Sequence, residues 1–141
     1  MTTEVTYPDG EIQSVDWLTE ALPSRFTGDD DRFDGTTVGI DLPGEWTTAS
    51  PPHVMVALDG TPSAAHPIEA YQTIRLTAFA LKKTDAKRLC AIAHGTLLAH
   101  PGGNGVGRVE YLTGVQPATD PTTGAAIAAC TSRVTVRSQP V

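Results

Sequence analysis

The apolar period of this chain changes once, abruptly, near residue 82, and that change constrains the fold more than any other feature. Over "YQTIRLTAFAL", residues 71–81, the period is two: Ile74, Leu76, Ala78 and Ala80 share one side, and Thr73, Arg75, Thr77, Phe79 and Leu81 the other. In "TDAKRLCAIAHGTLLAH", residues 84–100, it becomes helical, with Ala86, Leu89, Cys90, Ala93 and Leu97 on one stripe. Thr84 is placed to cap this helix and Asp85 to favour its first turn, while Lys87, Arg88 and His94 are expected outside. A strand whose second face mixes Arg and Thr with Phe and Leu predicts a sheet covered partly on that side and wet elsewhere.

The remaining segments extend this pattern. "SVDWLTEALP" predicts a short helix, capped by Ser14, with Val15, Leu18 and Leu22 on one face and Pro23 ending it. Residues 24–37, "SRFTGDDDRFDGTT", are polar and glycine-punctuated and read as a solvated or disordered loop. Val38, Ile40 and Leu42 mark one strand, and Val54, Val56 and Leu58 a second. "TPSAAHP" reads as a turn or loop. "VGRVEYLTGV" and "AIAACTSRVTVRS" predict a final hairpin joined by a Pro/Gly/Thr-rich loop over residues 114–126. In its second strand Ala128, Cys130, Ser132, Val134 and Val136 face one way, and Ile127, Ala129, Thr131, Arg133, Thr135 and Arg137 the other. The expectation is one α+β domain over residues 1–141, with two helices packed on an antiparallel or mixed sheet of about four to five strands.

Chemistry is harder to find. "HPGGNGVGR", residues 100–108, places Gly102, Gly103, Gly105 and Gly107 together. A Walker loop would need Lys and a hydroxyl where Arg108 and Val109 stand, and a dinucleotide fingerprint would need glycine at Arg108. Phosphate loops also run from strand into helix, whereas this one leaves a helix, so it reads as a helix stop and turn. Aligned on Gly35, the acidic run puts Arg32 at a calcium-ligand position, and the pattern fails. The four histidines, His53, His66, His94 and His100, form no metal-binding pair in sequence. No catalytic, cofactor-binding or metal-binding residues are expected. Cys90 and Cys130 stand without a metal or redox motif and are expected as buried small hydrophobes.

Charge is distributed unevenly beneath a net of −6. Residues 1–70 carry thirteen acids against Arg25 and Arg32, a net of −11, and residues 71–141 carry eight bases against three acids, a net of +5. An acidic half and a basic half can meet in neighbouring copies, and the acidic total argues against general nucleic-acid affinity. No run of 18 apolar residues and no N-terminal signal appear, so the expectation is a chain made in a cytoplasm and either kept or assembled there.

From Pro51 to Arg137 the order of motifs resembles the small tail terminator proteins of long-tailed bacteriophages. "PPHVMVALDG" matches the proline that leads that family's V-x-V strand, with Asp59 in place of the first of two glycines. "IRLTAFALKKTDAKRLCAIAHGTLLA" matches its strand and Ala/Leu-rich helix, with Phe79-Ala80 where Trp-Ala is common. Asp120, Pro121, Thr123 and Gly124 match its D-P-x-T-G loop, and Val134, Val136 and Arg137 its closing V-x-V-R; "AAIAACTS" lacks the Arg and aromatic residue often found after that loop. The resemblance implies a non-enzymatic virion protein: a homo-hexameric ring at the head-proximal end of the tail. Its partners would be the major tail tube protein and the head–tail connector or stopper, with genomic DNA passing through the lumen unbound and no membrane involved. Joined with the charge asymmetry, it makes Asp29, Asp30, Asp31, Arg75, Arg133 and Arg137 the candidate interface residues. The alternatives are a connector or head-completion protein of the same junction, a small metal-dependent enzyme, and a ligand-binding module.

Overall fold

Leu18, Leu22, Val54, Val56, Ile74, Leu76, Leu89, Leu97, Val134 and Val136 close one core between two helices and one face of a sheet. The computed structural model describes residues 5–29, 31–59, 63–66 and 69–140. In chain order the elements are β1 (Val5–Thr6), α1 (Gly10–Ala21), a 3₁₀ turn (Leu22–Arg25), β2 (Thr37–Gly39) and β3 (His53–Leu58). There follow β4 (Ser63–His66), β5 (Glu69–Ala80), α2 (Lys83–Leu98), β6 (Val106–Thr119), β7 (Ala126–Arg137) and β8 (Gln139–Pro140).

The main sheet runs β2-β3-β5-β7-β6, with β4 folded back on β5, and β1 and β8 form a separate pair. β2 is parallel to β3 and the other pairings are antiparallel, so the fold is α+β on a mixed sheet. The alternation at 71–81 becomes β5: Ile74, Leu76, Ala78 and Ala80 are buried beneath the helices. The stripe at 84–100 becomes α2, with Ala86, Leu89, Cys90, Ala93 and Leu97 all fully buried. Both helices pack on this face. The opposite face has a small cluster of its own, in which Trp46 meets Phe79 edge-on with Leu42, Met55 and Ile127 around them.

Several expectations are corrected. α1 begins at Gly10, capped by Asp9, whose carboxylate accepts the Glu11 and Ile12 amides; Ser14 lies inside the helix and donates to the Gly10 carbonyl. Asp9 wins because a carboxylate at the positive helix end satisfies two amides that have no partner within the helix. Pro23 falls in the 3₁₀ turn that follows α1. α2 starts after Lys82 without a side-chain cap, and Thr84 sits in its first turn.

Residues 24–37 are not a free polar loop: Phe33 is buried against Phe26, and Asp29 is buried beside two guanidinium groups. Within "TPSAAHP", Ser63–His66 is a strand, because β5 extends past its neighbour and offers free backbone groups. The loop placed at 114–126 is shorter. β6 continues through Gln116 and Ala118, its pairing with β7 kept across three register shifts, and only Asp120–Ala125 remain outside the strands.

Candidate functional site

The order of strands turns a sequence asymmetry into a spatial one. β2 and β3, with α1 beside them, come from the acidic half of the chain and form one side of the sheet. β7 and β6, with α2 over them, come from the basic half and form the other. On the acidic side Asp9, Asp16, Glu20, Asp31, Asp34, Asp41 and Glu45 are exposed. The basic side presents Arg108 and Arg137, with Arg133 half-buried between them and the sheet centre.

The edges themselves are uneven. β2 is three residues long and is followed by exposed Ile40, whereas β6 is a 14-residue edge strand carrying exposed Tyr111 and Leu112. A long edge with free backbone groups and exposed apolar side chains is a ready template for pairing with another chain.

The six residues singled out from the sequence do not gather at one place. Asp29 is drawn inward, 2.7 Å from Arg32 and 3.1 Å from Arg88, so it braces its own loop against α2. The Arg88 guanidinium, then that of Arg32, holds its carboxyl below the usual range. Asp31 is exposed. Asp30 lies outside the described residues.

Arg75 reaches Asp59 at 2.9 Å on the open sheet face. Arg133 places one nitrogen 3.1 and 3.2 Å from the two oxygens of Glu110 and lays its guanidinium over the Tyr71 ring at 4.8 Å. Arg137 is exposed at the end of β7 and makes no ion pair among the described residues. The three arginines therefore share one face but differ in how much of each is available to a partner.

The glycine segment is a helix stop. Gly102, Gly103, Asn104 and Gly105 all have positive φ, a run that glycine tolerates and that turns the chain from α2 into β6. Its amides serve the turn itself: Gly102 donates to the His100 ring, and Gly103 and Val106 exchange backbone bonds at 2.9 Å.

Behind the sheet, Cys90 on α2 donates to Cys130 on β7 at 3.5 Å, both buried and reduced. The bond it donates and its burial push the Cys90 thiol up. His94 is buried rather than outside, stacked on Tyr111, because one turn beyond Cys90 it falls on the same stripe. Among the described residues no group of three or more His, Cys, Asp or Glu side chains could hold a metal ion, and no helix is long and apolar enough to cross a membrane.

Reasoning from sequence missed Arg108, Glu110 and the hydroxyl of Thr135. The alternation of β7 already put Arg133, Thr135 and Arg137 on one face, but their strand partner was not legible without the register. Thr135 stands opposite Arg108, and Arg133 opposite Glu110. Comparison with protein-family models and with curated proteins gives no match.

Proposed function

We propose that this chain is a structural assembly subunit that closes head-to-tail into a hexameric ring and acts as a tail terminator at the head-proximal end of a bacteriophage tail. The observation that carries this reading is the polarity across the sheet, an acidic side with a short edge and a basic side with a long one. Two different surfaces that complement each other generate a ring when the rotation between copies closes. The exposed apolar residues at both edges, Ile40 on one and Tyr111 and Leu112 on the other, supply area that charge alone does not.

On this reading the basic partners are Arg137 and Arg133 with Arg75 further in, and the acids that meet them include Asp31. Asp29 acts indirectly by holding that loop in place. The ring caps the tube of the major tail protein, ends its growth, offers its other surface to the head–tail connector, and lets DNA pass through its lumen without specific binding. The role is non-catalytic.

The test is recognition of a tube end. Purified protein mixed with tail tubes of the cognate phage is expected to label one end of each tube by electron microscopy and to halt further polymerisation. Binding along the tube wall, or none at either end, would remove the terminator reading.

A further inference from the structure

At the open end of the β6–β7 hairpin, Gly107, Arg108, Thr135 and Arg137 line a pocket of about 280 Å³. We propose that this pocket is an oxyanion-binding site, shaped for a phosphate or carboxylate group.

Three observations converge on it. Thr135 is 4% exposed, yet its Oγ1 has no hydrogen-bond partner among the described residues. A buried hydroxyl without a partner is uncommon, because desolvation is not compensated, and it points to a group that binds there. Two guanidinium groups flank it. Arg108 pairs with Glu110 through Nε at 3.2 Å, leaving its terminal nitrogens free among the described residues, and Arg137 has no ion pair among them. Arg137 lies against Gly107: a Cβ there would stand 3.4 Å from Arg137 Nε and 3.5 Å from the Thr135 carbonyl, both ordinary van der Waals separations. The Arg137 side chain thus reaches across to β6 beside Gly107.

The charge balance favours an anion. Arg108, Arg133 and Arg137 lie along this end of the sheet face, Glu110 is shared by the first two, and Glu69 holds the register position opposite Arg137. The formal sum of these five is positive by one. Guanidinium forks match the two-oxygen edge of phosphate or carboxylate, and Thr135, which lines the pocket with them, carries a hydroxyl with no partner among the described residues. The source of the oxyanion is either free phosphate or an acidic side chain of a second copy.

The experiment follows the backbone amides of Gly107, Arg108 and Thr135 by NMR while inorganic phosphate is added to dilute protein at constant ionic strength. Saturable shifts are expected, weakened about tenfold or more in Arg137→Gln and several-fold in Thr135→Val. Thr135→Val is expected to melt no lower than wild type, since it removes a buried hydroxyl that lacks a partner and keeps the β-branched shape. A second series raises the protein concentration without phosphate. Shifts of the same amides that phosphate reverses identify a carboxylate of a second copy, and their absence beside saturable phosphate binding identifies the free anion; both support the site. Shifts that follow only ionic strength, or affinity retained in either variant, overturn it. Because the titration uses dilute chain, the site stands or falls separately from the ring.

Discussion

Arg88 on α2 holds Asp29 at 3.1 Å, and Arg32 holds the same carboxylate at 2.7 Å, so a loop that reads as solvated is tied to the longest helix. The tie has a direction in pH. The carboxyl of Asp29 titrates below its ordinary value of 3.8, so its contribution is present above that value and is lost as pH falls through the folded-state titration. Asp29→Asn is expected to lower Tm clearly more than Asp31→Asn, whose side chain is exposed, and to reduce the loss of stability at acid pH. Equal, small effects in the two variants would show that the loop is not braced this way.

Gln72 clamps the start of α1. Its Oε1 accepts the Gly10 amide at 2.7 Å and its Nε2 donates to the Pro8 carbonyl at 3.1 Å, inside a nearly closed site. Gln72→Leu leaves a buried helix-terminal amide without a partner, an expected cost of about 1–3 kcal/mol by chemical denaturation. Hydrogen exchange is expected to accelerate first over residues 10–14. Unchanged exchange there would contradict the clamp.

His53 predicts a second pH dependence. Thr37 Oγ1 lies 2.6 Å from Nδ1, and Nε2 lies 2.8 Å from the Asp41 carbonyl, which can only accept. The neutral ring with its proton on Nε2 satisfies both contacts with Thr37 donating, and a second proton would only reverse the Thr37 bond, so the cost of charging the ring is its burial. Burial lowers the His53 pKa below 6.5, outweighing the Asp41 bond that raises it. The unfolded chain then takes a proton that the folded chain refuses, so stability is full above 6.5 and declines as pH falls below it. His53→Gln is expected to flatten that decline in denaturation midpoints measured across the range. His100, whose pKa burial also lowers, adds to the same slope.

What was legible in the sequence was what periodicity encodes. β5, β7 and the body of α2 follow from alternation and helical stripes because each buries one face against a single layer. Helix starts were less so: Asp9 and Ser14 are both good caps by type, and the Gln72 contact on Gly10, which no local pattern carries, adds to the two amides that Asp9 accepts. β4 is four residues long, too short for a period, and exists because β5 overhangs. His94 reads as outside because its type is polar, yet its place on the stripe buries it. The charge split was visible as a count along the chain, but its separation onto opposite sides of the sheet depends on the order β2-β3-β5-β7-β6, which no local pattern carries.

The central claim is closure through opposite sides of one sheet, and assembly state tests it most directly. Negative-stain microscopy and mass photometry over a concentration series are expected to show a closed ring near 90 kDa, six chains of 14.8 kDa. Reversing charge on the basic side, with Arg133→Glu and Arg137→Glu together, is expected to shift that species to monomer while circular dichroism stays unchanged. A wild-type chain that stays monomeric both alone and in the presence of tail tubes, or a ring untouched by the double reversal, would contradict the account.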